Sequence, residues 1–275
     1  MTRRGLARGV WKLRRALAAV AAALASTVTR AAAQPTQHPE GITFQQIRWN
    51  TRLYQVVRVD LDRAEVKLYW KDDRGRPLGS LAALDRWLAG RGETLLAATN
   101  AGIFYRSNEP AGLHVERGAV LRPLNRASSP PPGEAEGNFF AQPNGVFYIA
   151  DDGTAHIRAT QGAALALPHM REATQSGPLL LERGRYHRLI GNPTVARNAV
   201  AVCTPRRIAL VLAPEGASIR ELAGFIRSEL ECEDALYLDG TISGLRVPSA
   251  RVDRDGSYVG MIGVTPRRAA GAPRR

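Results

Sequence analysis

The 275-residue sequence has little of three things: cysteine, aromatic side chains and long apolar runs. It has 2 cysteines, and aromatic residues make up 6% of the chain, so we expect a core built from Leu, Val, Ile and Ala. Hydrophobic residues at 44% and charged residues at 23% are ordinary for a globular protein, which excludes disorder, collagen and coiled coil as descriptions of the whole chain. A chain of this length can bury a substantial core without metal or disulfide support.

Standard catalytic and nucleotide-binding motifs are missing as well. The sequence contains no Gly-x-x-x-x-Gly-Lys phosphate loop, no Gly-x-Gly-x-x-Gly dinucleotide motif, no His-Glu-x-x-His zinc motif and no Gly-x-Ser-x-Gly nucleophile turn. The 5 histidines are scattered, and none has the spacing of a metal-binding pair. We therefore predict neither a cofactor nor a bound metal ion.

The formal net charge of +13 is concentrated at the two ends of the chain. Residues 1–33 carry 7 basic residues and no acidic one, and residues 267–275 carry 4 arginines. The segment between them has 27 basic residues against 25 acidic ones. Nucleic-acid-binding proteins concentrate basic residues on the folded domain, so we predict no nucleic-acid partner.

The N-terminal residues are typical of an export signal. A basic segment from Arg3 to Arg15 precedes 10 apolar residues, Ala16 to Ala25, and small residues follow at Ala31-Ala32-Ala33. A membrane span needs about 20 apolar residues, whereas a shorter run before a small-residue cleavage site indicates a signal peptide. We predict a signal peptide over 1–33, one domain over 34–266, a basic disordered tail over 267–275, and export to the periplasm or extracellular space. An uncleaved anchoring helix is the alternative; otherwise we predict no membrane contact.

The two cysteines, Cys203 and Cys232, both fall in the predicted exported part. An even number of cysteines in an oxidising compartment favours a disulfide bond. A nucleophilic cysteine is the functional alternative. However, Cys203 lies at the end of an apolar strand pattern and Cys232 just after a helical one. Both are structural positions, so we predict the disulfide.

Alternating apolar residues and turn motifs predict one α+β domain, with mixed or antiparallel sheets and a few packed helices. Helices are predicted over 81–89, capped by Ser80, and over 219–230, where Ser218 and Glu221 form a capping box. Predicted hairpins join strands 55–59 and 65–70, 145–150 and 155–158, 179–181 and 186–190, and 200–202 and 208–212. Further strands are predicted over 94–98 and 235–238, and a proline-rich irregular loop over 125–137.

Four polar clusters rich in glycine adjoin the predicted strands. They are Asn100-Ala101-Gly102-Ile103-Phe104, Gly137-Asn138-Phe139-Phe140 with Gln142-Pro143-Asn144-Gly145, Gln175-Ser176-Gly177-Pro178, and Asp239-Gly240-Thr241-Ile242-Ser243, with Arg197-Asn198 as a basic companion. Glycine beside a polar residue at a strand end lets the backbone approach a ligand closely. Any one cluster alone is more simply a tight turn, so the interpretation depends on their combination and order.

In that order the clusters resemble the phosphodiester glycosidase family. The resemblance covers about residues 42–264 and depends on Asn100 to Phe104, Pro143 to Phe147, Gln175 to Pro178, Arg197 to Val200, and Ala235-Leu236-Tyr237-Leu238-Asp239-Gly240 followed by Ser243. The family includes the enzyme that uncovers mannose 6-phosphate on lysosomal proteins and many exported bacterial proteins. Thr241 replaces the second glycine that the family often has after the aspartate, which places this sequence nearer the bacterial branch.

The resemblance implies hydrolysis of the glycosyl–phosphate bond of a sugar-1-phosphodiester, in glycans or cell-envelope material. We expect Asp239 to serve as base or nucleophile and Arg197 to neutralise the phosphate. The other expected substrate-binding residues are Asn100, Gln175, Ser176 and Ser243 through their side chains, and Gly102, Gly177 and Gly240 through nearby amides. For a second carboxylate, Glu109 and Glu172 are candidates.

Each part of this hypothesis has a structural or non-catalytic alternative. Asp239 could cap a turn, and Arg197 could pair with a neighbouring acid. The whole domain could be a non-catalytic module that binds glycans or phosphodiesters in the envelope. It could also be a structural envelope protein in which the glycine clusters are only turns.

Overall fold

The computed structural model describes residues 36–38, 41–134, 137–187, 193–240 and 242–267. The predicted signal peptide, Thr241 and the residues after Arg267 lie outside the described residues. Arg267, where the predicted tail begins, is described: its Nε and Nη2 donate hydrogen bonds to the carbonyl of Leu61, at 3.1 and 2.6 Å.

The described residues form eighteen strands and three α-helices. In chain order the strands are β1 (Thr36–His38), β2 (Ile42–Trp49), β3 (Arg52–Asp60), β4 (Ala64–Tyr69), β5 (Ala97–Asn100), β6 (His114–Glu116), β7 (Ala119–Arg122), β8 (Gly145–Ala150), β9 (Ala155–Ala159), β10 (Met170–Ser176), β11 (Leu179–Glu182), β12 (Arg185–Tyr186), β13 (Val195–Thr204), β14 (Arg207–Ala217), β15 (Asp234–Asp239), β16 (Leu245–Val247), β17 (Val252–Arg254) and β18 (Met261–Pro266). The helices are α1 (Leu81–Ala89), α2 (Thr160–Ala163) and α3 (Ile219–Glu229), with 3₁₀ turns at Asn138–Phe140, Ala164–His169 and Pro248–Ala250.

The strands build three sheets in which all described pairings are antiparallel. One sheet has eight strands in the order β1-β2-β3-β14-β13-β15-β11-β12. The other two have five strands each, in the orders β7-β6-β10-β8-β9 and β17-β16-β5-β18-β4. Antiparallel sheets with a few helices confirm the predicted α+β class.

Side chains of the central strands of the eight-stranded sheet alternate between its two faces, so a layer of the core lies on each face. On β14, Ile208, Leu210 and Leu212 face the other two sheets, whereas Ala209, Val211 and Ala213 face α3. Successive side chains of a strand point to opposite faces, so a strand buried on both faces is apolar throughout. The face toward α3 is rich in alanine, and these small side chains let the helix pack close to the sheet.

The two predicted helices are confirmed, and local sequence signals begin both. Ser80 accepts a hydrogen bond from the backbone N–H of Ala83 at the start of α1. At α3, Ser218 and Glu221 form the predicted capping box, which satisfies two backbone donors that a helix start otherwise leaves free. Phe225 of α3 stacks on Tyr54 of β3 with ring centroids 3.8 Å apart, so the helix is fixed to the eight-stranded sheet.

One predicted hairpin is wrong. Strand β3 pairs with β2 and β14, and β4 pairs with β18 in a different sheet, so the strands predicted over 55–59 and 65–70 are not neighbours. Val57 and Leu68 both belong to the core between the sheets. The two strands therefore contribute to one core from different sheets, an arrangement that local alternation cannot distinguish from a hairpin.

Two further predicted pairings are confirmed: strands β8 and β9 form a hairpin, and β13 pairs with β14 over a longer stretch than expected. Strand β11 pairs with the two-residue β12, of which Tyr186 belongs to the strand predicted over 186–190, and residues 188–190 of that prediction lie outside the described residues. The predicted strand at 94–98 is found at Ala97–Asn100, and most of the predicted loop over 125–137 lies within the described residues, where it is irregular. The predicted disulfide is confirmed: Cys203 near the end of β13 is bonded to Cys232 after α3.

No helix among the described residues is long and apolar enough to cross a membrane.

Candidate active site

A cleft of about 480 Å³ opens on the eight-stranded sheet, where β13 begins and β15 ends. Four of its described lining residues have polar side chains: Asn138, Arg197, Tyr237 and Asp239. The rest of the described lining is apolar or glycine: Ile103, Gly137, Pro193, Val195, Gly240 and Ile242. The two residues predicted to carry the chemistry, Asp239 and Arg197, thus line one cleft.

Asp239 is the last residue of β15, and this strand determines the direction of its side chain. Tyr237 and Asp239 are two residues apart on this strand, so their side chains point to the same face of the sheet. Asp239 is partly buried, and loss of hydration raises the pKa of its carboxyl from the usual 3.8 to about 6. The backbone N–H of Gly240 donates to its Oδ1 at 2.6 Å and acts in the opposite direction, because it favours the ionised form. A carboxyl with such a pKa is ionised at neutral pH and remains a usable base.

Asn198 fixes the backbone of Asp239 from behind the cleft. Its Oδ1 accepts a hydrogen bond from the N–H of Asp239 at 3.0 Å and another from Ser243 Oγ at 3.1 Å. Its Nδ2 donates to Thr99 Oγ1 at 2.7 Å and to Asn100 Oδ1 at 2.9 Å. The side chain is fully buried and joins β13, β5 and β15. Sequence reasoning noted Asn198 only as a neighbour of Arg197.

The environment of Arg197 is unusual for a cation. Only 2% of the residue is exposed, and its described hydrogen-bond partners are all neutral. Its Nε donates to the carbonyl of Ala217 at 2.7 Å, its Nη2 to the carbonyl of Pro193 at 2.8 Å, and its Nη1 to Tyr237 Oη at 2.9 Å. The alternative of an ion pair with a neighbouring acid finds no support among the described residues.

Tyr237 is a site residue that sequence reasoning missed. Its hydroxyl accepts hydrogen bonds from Arg197 Nη1 at 2.9 Å and from Asn138 Nδ2 at 3.2 Å. Burial raises the pKa of the phenol to about 12, so the hydroxyl keeps its proton at neutral pH. The signal in the sequence was its position two residues before Asp239, but a tyrosine in an apolar strand is also typical of core.

Gly240 is needed because the chain approaches the Tyr237 hydroxyl closely. A Cβ atom at position 240 would lie 2.8 Å from Tyr237 Oη, closer than real Cβ atoms come to a neighbour. The sequence predicted that a glycine here lets the backbone approach a ligand closely. In the structure, the backbone closely approaches a side chain of the cleft, Tyr237. Its N–H is used by Asp239 Oδ1.

Two predicted substrate-binding side chains, Asn100 and Ser243, are buried in the network behind the cleft. Asn100 Oδ1 accepts from the N–H of Gly244 at 2.8 Å as well as from Asn198. Ser243 Oγ lies 3.0 Å from the carbonyl oxygen of Asp239 and 3.1 Å from Asn198 Oδ1, and these acceptors share its single hydroxyl hydrogen. Their polar atoms thus hold the turn that follows β15, and neither residue lines the described cleft.

Gln175 and Ser176, at the end of β10, also bond within the protein. Gln175 Oε1 accepts from the N–H groups of Leu113 and Asn125, at 3.0 and 2.9 Å, so it ties the loop after Ala111 to the irregular loop. Ser176 Oγ donates to the carbonyl of Leu238 on β15 at 2.9 Å. These residues fix the strands that carry the cleft and lie outside its described lining.

The remaining predicted glycines have packing roles of the same kind. The N–H of Gly102 donates to Thr174 Oγ1 at 3.1 Å, and a Cβ here would collide with the carbonyl oxygen of Gln175. A Cβ at Gly177 would lie 2.9 Å from the carbonyl oxygen of Phe139, in the turn that carries Asn138. Close approach at Gly177 therefore helps to place one of the polar side chains of the cleft.

Neither candidate for a second carboxylate lies at the cleft. Glu109 is at the surface, 3.2 Å from Arg122 Nη1. Glu172 is buried between two sheets, where its oxygens accept from the N–H groups of Leu68 and Arg117 at 2.8 and 3.0 Å. Among the described residues, Asp239 is therefore the one carboxylate of the cleft. The described residues also contain no group of three or more His, Cys, Asp or Glu arranged to hold a metal ion.

Comparison with known proteins gives a family match over the part of the chain that forms the cleft. The sequence profile of the phosphodiester glycosidase family matches residues 93–261, a range that includes every described residue of the cleft. The uncharacterized protein YigE of Escherichia coli (strain K12) is 34% identical over 197 residues, which are 70% of this chain and 74% of that protein.

Solved structures show the same fold at low sequence identity. The catalytic domain of zebrafish N-acetylglucosamine-1-phosphodiester alpha-N-acetylglucosaminidase, auto-inhibited by its pro-peptide, superposes with a TM-score of 0.56 at 14% identity, covering 86% of this chain and 87% of that one. A hypothetical protein from Synechocystis superposes with a TM-score of 0.54 at 17% identity, covering 83% of this chain and 62% of that one. The profile match and the Escherichia coli relative show that this chain belongs to the phosphodiester glycosidase family.

Proposed function

We propose that this protein is an exported hydrolase that cleaves the glycosyl–phosphate bond of sugar-1-phosphodiesters in glycans or cell-envelope material. One arrangement carries the proposal: a single cleft contains the Asp239 carboxylate and an Arg197 guanidinium with no acidic partner among the described residues. A sugar-1-phosphodiester joins an anion to a carbon that becomes electron-poor as its bond to oxygen breaks. One cation and one carboxylate suit the two halves of such a substrate.

Arg197 is suited to the phosphate. Arg197 has lost hydration and gained hydrogen bonds only to neutral groups, so an anionic ligand would stabilise it. The guanidinium has five N–H groups, and three are used within the described structure. One hydrogen on each terminal nitrogen is left, and guanidinium geometry matches two oxygens of one phosphate.

Asp239 is suited to the anomeric carbon. As a base it takes a proton from water while the water oxygen bonds to that carbon and the bond from the carbon to the phosphate oxygen breaks, so that the electron pair leaves with the phosphate monoester. As a nucleophile, the carboxylate oxygen itself bonds to the anomeric carbon as the phosphate monoester leaves with that electron pair, and water then replaces the carboxylate and releases the sugar. Both routes require the ionised carboxylate.

The departing group explains how one carboxylate could suffice. Glycosidases usually pair two carboxyl groups, because an alcohol leaving group needs a proton from a general acid. A phosphate monoester is far less basic than an alkoxide and leaves without a full proton transfer. The single carboxylate of the described cleft therefore supports a phosphate leaving group over an ordinary glycoside.

Two features support export. Residues 1–33 have the composition of a signal peptide. Cys203 and Cys232 form a disulfide, and such bonds persist in oxidising compartments. Deletion of residues 2–33 should leave the protein in the cytosol with reduced thiols, whereas the full chain should be recovered oxidised from the periplasm or medium.

Hydrolysis in ¹⁸O-labelled water tests the reaction. The substrates are α- and β-anomers of glucose, galactose and N-acetylglucosamine 1-(methyl phosphate), and the products are reducing sugar and methyl phosphate. We expect methyl phosphate that carries no ¹⁸O, which reports cleavage between the anomeric carbon and oxygen. Asp239→Asn should abolish release, and Asp234→Asn, a matched change at the other end of β15, should retain it. Label in the phosphate would instead identify a phosphodiesterase, and equal turnover by Asp239→Asn would overturn the assignment.

A second function, binding without turnover, is favoured by the same single carboxylate. It predicts saturable binding of the sugar phosphodiesters with no product after long incubation.

Stereochemistry separates the two catalytic routes where turnover occurs, since a nucleophilic Asp239 gives retention and a base gives inversion.

A further inference from the structure

The Tyr237 hydroxyl has one hydrogen whose partner is missing from the described protein. A phenol oxygen can accept two hydrogen bonds and donate one. Arg197 Nη1 and Asn138 Nδ2 can donate hydrogen bonds but cannot accept them, so Tyr237 Oη is the acceptor in both bonds. The two acceptor sites are therefore occupied, and the hydroxyl can still donate.

The surroundings of the hydroxyl leave the cleft as the open direction. Arg197 and Asn138 occupy two sides of the oxygen, and the backbone of Gly240 covers a third, since a Cβ there would lie 2.8 Å from Oη. Tyr237 itself lines the cleft beside Arg197 and Asp239. A hydrogen held in this direction points at a ligand in the cleft.

Other tyrosines show that the arrangement is specific to position 237. The hydroxyls of Tyr54, Tyr69 and Tyr258 are buried and have no hydrogen-bond partner in the described structure. At these three positions the described protein supplies no hydrogen-bond partner to the phenol. At Tyr237, two donors, one of them a cation, fix the oxygen at the edge of a cleft, and packing alone does not require that.

We propose that Tyr237 donates its hydroxyl hydrogen to a phosphate oxygen of the substrate, held in place and polarised by Arg197 and Asn138. The inference rests on the proposed function, because it needs a phosphate in this cleft. The proton stays on Tyr237 throughout. The bond strengthens as negative charge grows on the departing phosphate, so Tyr237 binds the transition state more tightly than the ground state.

The electrostatics agree with a donor that keeps its proton. Burial raises the pKa of the phenol to about 12, while the nearby Arg197 cation acts in the lowering direction. The hydroxyl is therefore protonated across the neutral range, and the cation makes it a stronger donor than an isolated phenol.

Binding of methyl phosphate, the phosphate product, tests the proposal without turnover. Titration of the full-length protein, followed by ³¹P NMR, compares wild type with Tyr237→Phe and Tyr54→Phe. The Tyr54→Phe change removes a buried hydroxyl from the same core layer, away from the cleft. We expect about 10- to 100-fold weaker binding in Tyr237→Phe, the range of a hydrogen bond to a charged group, and unchanged binding in Tyr54→Phe. On a hydrolysed substrate, kcat should fall more than KM rises.

The outcomes separate the two proposals. Equal binding by wild type and Tyr237→Phe overturns the role of Tyr237 and leaves the hydrolase proposal intact. No methyl phosphate binding by the wild type overturns the proposed phosphate contact of Tyr237, whereas the hydrolase proposal is decided by product release in the isotope experiment.

If Tyr237→Phe fails to fold, 3-fluorotyrosine at position 237 keeps the hydroxyl and lowers its pKa. A more acidic phenol is a stronger hydrogen-bond donor, so methyl phosphate should bind this protein more tightly than wild type at pH 7. Unchanged or weaker binding overturns the proposal.

Discussion

The side-chain oxygen of Asn198 accepts a hydrogen bond from the backbone N–H of Asp239, at 3.0 Å. Asn198 is fully buried, and the same oxygen also receives a hydrogen bond from Ser243. Its amide nitrogen donates to Thr99 and Asn100 on β5. The position of the Asp239 backbone is therefore fixed by an amide side chain one strand away.

The first prediction concerns this amide. Asn198→Asp keeps the oxygen but replaces the donating nitrogen with a second acceptor, which would face Thr99 Oγ1 and Asn100 Oδ1. Since the site is buried and Asp239 is nearby, we expect a loss of about 3 kcal/mol in the free energy of unfolding. Urea denaturation measures this loss. The same change at the exposed turn residue Asn108 should alter stability by less than about 0.5 kcal/mol. A stable Asn198→Asp protein with full activity would contradict the anchoring role.

The second prediction is that the Asp239 carboxylate destabilises the fold. The pKa of Asp239 is about 6 in the folded protein against 3.8 ordinarily, so the folded state binds more protons between these values. Stability therefore decreases as the pH rises from about 4 to 6 and stays reduced above. Asp239→Asn removes this effect, and its amide oxygen can still accept from Gly240. We expect the variant to be more stable than wild type at pH 8, by at most about 3 kcal/mol, with a smaller difference at pH 4.

Denaturation curves of both proteins at the two pH values test this, with Asp234→Asn as the control. The Asp234 carboxylate accepts from the N–H of Arg183 at the exposed start of β15, and an amide can do the same. An Asp239→Asn protein that is less stable than wild type at pH 8 would show that the carboxylate has a structural role, such as capping the turn.

The third prediction is the acidic limit of activity. Only the ionised form of Asp239 can act as base or nucleophile, and its pKa is raised to about 6 by burial. We expect kcat/KM to fall as the pH drops through about 6, with a slope of one proton. The profile of kcat/KM against pH between 4 and 8 measures this limit. A midpoint near 4 would mean that the reacting carboxyl is fully hydrated and is not Asp239.

Local signals in the sequence were enough for the helices at 81–89 and 219–229, the hairpin of β8 and β9, and the end of β15. The capping residues Ser80 and Ser218 lie within three residues of their partners, so the pattern that predicts each helix start is complete in the local sequence. The clusters at strand ends likewise indicated Asp239 and Arg197, which the fold brings to one cleft.

Features that depend on distant partners could not be predicted in this way. Alternation marks β3 and β4 as strands, but their partners are set by packing across the core. The acceptors of Arg197 include the carbonyl of Ala217, twenty residues away and without any side-chain signal. Tyr237 has the pattern of a core residue until its hydroxyl is seen beside Arg197.

The fourth prediction concerns the disulfide. Cys203 and Cys232 are 29 residues apart, so the bond restricts the unfolded chain over a loop of this length. The loop-entropy relation gives about 3–4 kcal/mol of stabilisation for such a loop. We expect no free thiol when the oxidised protein is unfolded, and a loss of this size in the Cys203→Ser, Cys232→Ser protein by urea denaturation. Two reactive thiols in protein recovered from the full chain would contradict both the bond and export.

The fifth prediction concerns Glu172, which lies between two sheets. Burial raises the pKa of this carboxyl from 4.5 to about 7, although the N–H groups of Leu68 and Arg117 oppose the shift. The folded state therefore binds more protons between pH 4.5 and 7, and the stability that Glu172 contributes decreases as the pH rises through this range. In Glu172→Gln this titration is absent, so wild type should lose stability relative to the variant, by at most about 3 kcal/mol between pH 5 and 8.

Urea denaturation of wild type and Glu172→Gln at pH 5 and 8 measures this relative change. Because both proteins share all other titrating groups, the difference between them isolates Glu172. Glu109→Gln is the matched control, since Glu109 forms a surface ion pair with Arg122 and should give a nearly constant small difference at both pH values. A gap that is the same at pH 5 and 8 for Glu172→Gln would mean that this carboxylate is hydrated, and that the two sheets separate enough there to admit water.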